Sequence, residues 1–335
     1  MNAADFHSAR KFAVTRFGRI AYFERGHGPA ALLLHGFPLN GFQWRDVVEN
    51  LAATRRCIVP DLTGLGYTEP IPSQDLSFVS QADMLDAFLD AMGIDQVDVV
   101  GNDSGGGISQ VVTATHPRRV RTLTLTNCEV HDRWPNAMLE QLFGLFENRM
   151  GLQVLKEMAT DLSLARSQFT SVYENPESLT AESARTYFER ITSSVERAEM
   201  ARGFACNWRR SREQLMELAP ALKRSEIPAQ ILWGTADTTF DVEPSLEWLS
   251  ANLGGLLRVI RIEGAKLFFP EERPHPYEQA SPRVLVRSNG RASGAYRRSR
   301  AEPVRTFRTK LTFAAPLPDQ GEGKRRGDCS VMQSP

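Results

Sequence analysis

Residues 97–110 read VDVVGNDSGGGISQ, and the order of residue types within them decides the fold. Val97, Val99 and Val100 form the short β-branched run of a buried strand, and a segment with helical spacing follows Gly105. Between them, Gly101-Asn102-Asp103-Ser104-Gly105 makes the turn. A turn this tight brings the strand and helix backbones together, so the residues two before and two after its apex must lack bulk. Gly101 and Gly105 meet that condition around Asp103, whereas an apex at Ser104 would need a small residue where Asn102 stands. The Asp103 carboxylate is therefore expected above the carboxyl end of a parallel sheet, with the first amides of the next helix pointing at the reacting group.

A carboxylate at that apex selects its chemistry. Attack on an ester carbonyl would give an anhydride, which is no easier a route than direct hydrolysis. Attack on a saturated carbon displaces a leaving group and gives an alkyl ester that water can cleave at the Asp103 carbonyl. Halides and strained epoxides are the matching electrophiles. A glycine-rich helix start without chemistry is the plain alternative.

Towards the amino terminus, residues 12–24 alternate and turn at Gly18, as in a β-hairpin, and Ala30–Leu34 is an apolar strand that runs into His35-Gly36-Phe37-Pro38. With an elbow downstream, the amides of Phe37 and Ser104 are placed to form a two-donor oxyanion hole for hydrolysis of the Asp103 ester. His35 either lines the pocket or, as the simpler reading has it, bonds its own loop. Residues 42–51 and 78–92 show helical spacing, the second closed by Gly93, and a strand ends at Pro60. Repeated strand–helix units of this kind imply an α/β fold with a mostly parallel central sheet flanked by helices.

Beyond the elbow, residues 120–126 form a strand that ends in Asn127-Cys128-Glu129-Val130-His131-Asp132. From Trp134 to Leu222 the pattern is helical, with breaks near Gly151, Asn175-Pro176 and Pro220, the arrangement of a helical cap inserted over a site. Strands return at residues 227–233 and 256–262, each followed by a polar loop, Gly234-Thr235-Ala236-Asp237 and Glu263-Gly264-Ala265-Lys266. The expected organisation is a core of residues 12–132 and 227–274, a cap of residues 133–226 and a tail of residues 275–335.

Composition adds exclusions. The 335 residues carry 40 Lys plus Arg against 40 Asp plus Glu, which gives no reason to expect nucleic acid or an anionic membrane as partner. The start MNAADFHSARK lacks a signal-peptide core and no later segment has the apolar length of a membrane helix. Cys57, Cys128, Cys206 and Cys329 are scattered and read as free thiols of a cytoplasmic protein. No His/Asp/Cys cluster has ligand spacing, so neither a metal nor an organic cofactor is expected, only a small-molecule substrate. From His275 onward there are 12 Lys plus Arg against 5 Asp plus Glu, so the tail carries +7 and the rest −7. Its Ser, Gly, Pro and Arg content predicts disorder. A reading-frame shift near residue 275 is one account of the tail, and a natural basic segment that binds something acidic is the other.

HGFP at 35–38, PDLTGLG at 60–66, GNDSGG at 101–106 and WGTAD at 233–237 lie in the order and spacing of the α/β-hydrolase superfamily. With Asp at the apex, the chain resembles the haloalkane dehalogenase, fluoroacetate dehalogenase and epoxide hydrolase branch over residues 12–274. That resemblance implies Asp103 as nucleophile and Asp237 as the acid that orients a catalytic histidine. In such relatives the histidine follows the last strand in a run like A-G-H-F, where this chain has Ala265-Lys266-Leu267-Phe268. Leu267 cannot take a proton from water, and a positioned base is worth ~10²–10⁴-fold. His131, flanked by Glu129 and Asp132, is the candidate replacement. The relatives' halide-binding Trp and Asn positions hold Ser104 and Phe37 here, while Trp134 and Trp208 could line a halide pocket as in fluoroacetate dehalogenases. Tyr173 and Tyr187 are the cap tyrosines that could protonate an epoxide. Two functions from different classes stand: a hydrolase of halides or epoxides, and a non-catalytic or turnover-impaired ligand-binding protein of the same fold.

Overall fold

The computed structural model describes residues 1–275 and Tyr277. The expectations for the rest of the tail, including Cys329, lie outside the described residues. The described chain builds one sheet from β1 (Lys11–Thr15), β2 (Gly18–Arg25), β3 (Ala30–Leu34), β4 (Arg56–Pro60), β5 (Glu69–Pro70), β6 (Val97–Asn102), β7 (Val120–Thr126), β8 (Ala229–Gly234) and β9 (Leu256–Ile262). The order across it is β1-β2-β4-β3-β6-β7-β8-β9, with β5 paired to β2. β2 runs antiparallel to β1, β4 and β5, and the remaining pairs are parallel. This is the mostly parallel α/β architecture that the strand–helix alternation implies.

Helices α1 (Ala3–Ser8), α2 (Arg45–Leu51), α3 (Phe78–Ala91) and α4 (Ser104–Thr115) precede or separate the first strands. Between β7 and β8 come α5 (Ala137–Glu147), α6 (Met150–Met158), α7 (Leu162–Gln168), α8 (Ala181–Ile191), α9 (Val195–Cys206) and α10 (Trp208–Arg224), and α11 (Val242–Asn252) and α12 (Phe269–Glu272) follow. The break near Gly151 comes between α5 and α6, where Arg149 turns with φ +68°. The one near Pro220 falls elsewhere. Pro220 lies inside α10, where Leu215 and Leu222 on either side are buried, so packing outweighs one missing backbone hydrogen bond.

β6 sits between β3 and β7 at the middle of the sheet, and every one of its residues is buried, which is why its sequence is a β-branched run without alternation. α4 packs on β6 and α3, and its Ile108 and Val111 are fully buried, each side chain worth about 2 kcal/mol relative to exposure. This packing fixes where the intervening turn points. A Cβ on Gly101 would stand 2.3 Å from Gly105 O, and one on Gly105 would stand 2.1 Å from Leu34 O. The two glycines are what allow strand and helix to close on each other.

Candidate active site

Asp103 occupies the turn with φ +53° and ψ −135°, a backbone conformation that side chains disfavour and that strands or helices do not contain. Its amide donates to Asn127 O at 2.8 Å, which ties the apex to the end of β7. The Asp103 carboxylate accepts from Ser104 N and from the backbone of Phe37, the two amides expected to form the oxyanion hole. Ser104 Oγ lies 3.0 Å from Asp103 Oδ1 and 2.9 Å from Glu129 Oε1.

Above Asp103 lies a cavity of about 320 Å³. Its walls are mainly apolar, drawn from Phe37 on the sheet side, Phe143, Phe146 and Leu155 on the inserted helices, Phe169 just after α7, and Phe240, Leu267 and Phe268 after β8 and β9. Burial raises the Asp103 carboxyl above its ordinary range, against the lowering effect of the Ser104 amide and hydroxyl. Burial raises Glu129 as well, reinforced by the charge of Asp103. Both groups line the cavity.

Asp237 follows β8 and is pushed up to about 6 by burial, with hydrogen bonds from Thr239 and Asn127 acting the other way. Its Oδ1 accepts from Thr239 N and its Oδ2 from Asn127 Nδ2, each at 2.8 Å. Leu267 lies on the cavity wall with Asp103 and is buried, so the side chain where an imidazole would stand is apolar. The backbone there is nevertheless anchored, because Asn102 Nδ2 donates to Leu267 O at 3.0 Å.

Several expected site residues stand elsewhere. His131 is turned away from the cavity: Nδ1 is 2.8 Å from Asp132 Oδ1 and the ring stacks on Trp248 at 4.6 Å. The chain heads outward after buried Val130, and Glu129, read only as a possible partner of His131, is the residue that faces Asp103. His35 does not line the cavity; Leu62 N donates to its Nε2 at 3.0 Å and Nδ1 lies 3.0 Å from Gly36 O, the bonding of a neutral ring that holds its loop, and burial lowers its pKa. Tyr173 and Tyr187 are also absent from the cavity wall, a correction to their place as epoxide acids. Tyr173 OH donates to Glu271 Oε1 at 2.7 Å, and Arg45 Nη1 donates to Tyr187 OH at 3.2 Å and to Glu271 Oε2 at 2.8 Å. Trp134 and Trp208 line a side chamber of about 20 Å³, together with Glu129, Ser104 and Phe37, and not the main cavity.

Residues 29–272 match the model of the alpha/beta hydrolase fold family, and the chain belongs to that family. Within it the chain sits with haloalkane dehalogenase-like and epoxide hydrolase-like members. It is 26% identical over 267 residues to haloalkane dehalogenase 2 of Mycobacterium tuberculosis, covering 77% of this chain and 88% of that protein. It is also 26% identical over 266 residues to the soluble epoxide hydrolase of a Corynebacterium species, covering 76% and 90%. Among solved structures, haloalkane dehalogenase DbeA from Bradyrhizobium elkani superposes with a TM-score of 0.66 at 22% identity, over 81% of this chain and 95% of that one. At that identity the likeness shows the fold. Among the described residues no helix is long and apolar enough to cross a membrane.

Proposed function

We propose that the chain is a cytoplasmic hydrolase in which Asp103 attacks the saturated, electrophilic carbon of a small organic halide or epoxide and carries it as an alkyl ester. The inserted helices serve as a cap that closes the substrate into an apolar space. The observation that carries this reading is the strained Asp103 turn at the floor of the cavity, with the amides of Phe37 and Ser104 on its carboxylate. Those amides lie where the oxyanion of ester hydrolysis would form. The names of the relatives supply the two candidate substrate classes. Leu267 favours a second reading, a ligand-binding or turnover-impaired protein, because the usual imidazole is missing from the cavity wall.

The test is incubation with 1-bromohexane and with 1,2-epoxyhexane, followed by mass spectrometry of the intact chain and its peptides and assay of released bromide and diol. Alkylation of Asp103 or product release that Asp103→Asn removes supports the hydrolase. Neither label nor product with either probe leaves the ligand-binding reading.

A further inference from the structure

Among the described residues, Asp103 and Glu129 are the two titratable side chains on the cavity wall, and the lining includes no Lys, Arg or His. The Ser104 hydroxyl stands between them, 3.0 Å from Asp103 Oδ1 and 2.9 Å from Glu129 Oε1. A hydroxyl carries one hydrogen. If both carboxyls were ionised, that hydrogen would have to serve two acceptors, and two buried anions would face each other with no cation nearby. A proton on one carboxyl satisfies all three groups: it donates to Ser104 Oγ, and Ser104 donates to the other. Asp103 already accepts from two amides. Glu129 is 3% exposed and its Oε2 is buried without a protein partner. The proton therefore belongs to Glu129.

We propose that Glu129 is the acid and base of this site and that its substrate class is the epoxide, an inference that rests on Asp103 acting as nucleophile. In the first step an Asp103 oxygen bonds to a ring carbon, and the ring C–O bond breaks. The ring oxygen keeps the electron pair and takes the Glu129 proton. A hydroxyalkyl ester on Asp103 and a Glu129 carboxylate result. In the second step that carboxylate takes a proton from water as the water oxygen bonds to Asp103 Cγ, and the amides of Phe37 and Ser104 hold the oxyanion. Collapse breaks the bond from Cγ to the ester oxygen, and the proton of the re-formed Asp103 carboxyl passes to the departing alkoxide. The diol leaves with Asp103 ionised and Glu129 protonated, as at the start. A halide departs without a proton and would leave this acid idle.

The side chamber supports the second step. It is large enough for one water, and Trp134 Nε1 and Glu129 Oε2, both buried without a protein partner, are groups such a water would meet. Among the described residues no imidazole on the cavity wall competes for the role, since Leu267 is apolar and His131 is turned outward.

The deciding experiment compares the native chain with Glu129→Gln. The glutamine amide can donate to Ser104 as the protonated carboxyl does, so the fold is retained; Glu129→Leu is a second variant should Gln not yield soluble protein. With 1,2-epoxyhexane the native chain is expected to release hexane-1,2-diol and either variant to release at least about 10²-fold less, the usual weight of a positioned acid or base. With 1-bromohexane, whose leaving group needs no acid, the variants still gain the alkyl mass on Asp103. Diol release at the native rate from either variant overturns the role of Glu129. Alkylation by 1-bromohexane with no epoxide opening by the native chain overturns the inference while Asp103 stands as nucleophile. No label and no product with either probe removes the Asp103 reading and this one with it.

Discussion

The turn after β6 and the loop at residues 263–268 after β9 both reach the carboxyl edge of the sheet, yet they are built on opposite terms. At the turn, backbone and side chain serve one purpose, since φ at Asp103 and the two flanking glycines exist to present a carboxylate. In the loop the backbone is just as firmly placed: Ala236 N donates to Ala265 O at 2.9 Å, Phe268 N to Val172 O at 3.0 Å, and Asn102 reaches Leu267 O. Its side chain at 267 supplies only apolar wall. The difference separates two things that a motif conflates, the placement of a residue and the chemistry of its side chain.

The largest expected effect breaks the first of these regions. Asp103→Asn abolishes the alkyl adduct entirely, read by peptide mapping after exposure to 1-bromohexane. The next re-equips the second: in the Glu129→Gln chain, Leu267→His is expected to raise ester hydrolysis by about 10²-fold, because the anchored loop would hold an imidazole beside Asp103. Single-turnover release of hexan-1-ol from the ester formed with 1-bromohexane measures it, and an unchanged rate would mean that the loop's placement differs from a working one.

A matched pair of glycine substitutions sharpens the contrast. Gly105→Ala forces a methyl to 2.1 Å from Leu34 O and should cost about 3 kcal/mol, the upper end of overpacking penalties. Gly264→Ala meets nothing closer than Arg273 at 3.8 Å and bears only the strain of φ +77°, about 1 kcal/mol. Urea midpoints of the two variants decide whether the turn is the tighter region. The remaining effect is on pH. Asp237 folds with its pKa raised to about 6, so between its unfolded value of 3.8 and that point the folded chain keeps a proton that the unfolded chain has lost. Stability should therefore fall as pH rises through this window, by at most about 1.4 kcal/mol per unit from this group, with Asp103 and Glu129 acting in the same sense. Thermal midpoints at pH 4.5 and 6 test the sign.

What could be read from the residues alone was whatever the local backbone dictates. Gly101 and Gly105 frame Asp103 for steric reasons that need no partner elsewhere, and the amides of Phe37 and Ser104 follow from where two strands end. The assignments that failed depend on where the chain heads after an element stops. His131 and Glu129 are two residues apart beyond β7, and only the turn after Val130 sends one outward and leaves the other facing Asp103. The spacing of Asn127, Glu129 and His131 was the available signal, but it does not say which of them remains inside. Tyr173 and Tyr187 went astray for a similar reason, since a buried Glu271 on α12 claims both through Arg45 and a direct hydrogen bond.

The single hydrogen on Ser104 also bears on which guests the chamber admits. If Glu129 holds the proposed proton, a resting site with one negative charge, behind walls whose described residues include no cation, would have to desolvate any incoming carboxylate or phosphate with nothing to neutralise it, at a cost of several kcal/mol. Uncharged, oily molecules would enter without that penalty, so on this proposal the polarity of the lining selects among guests as much as its shape does.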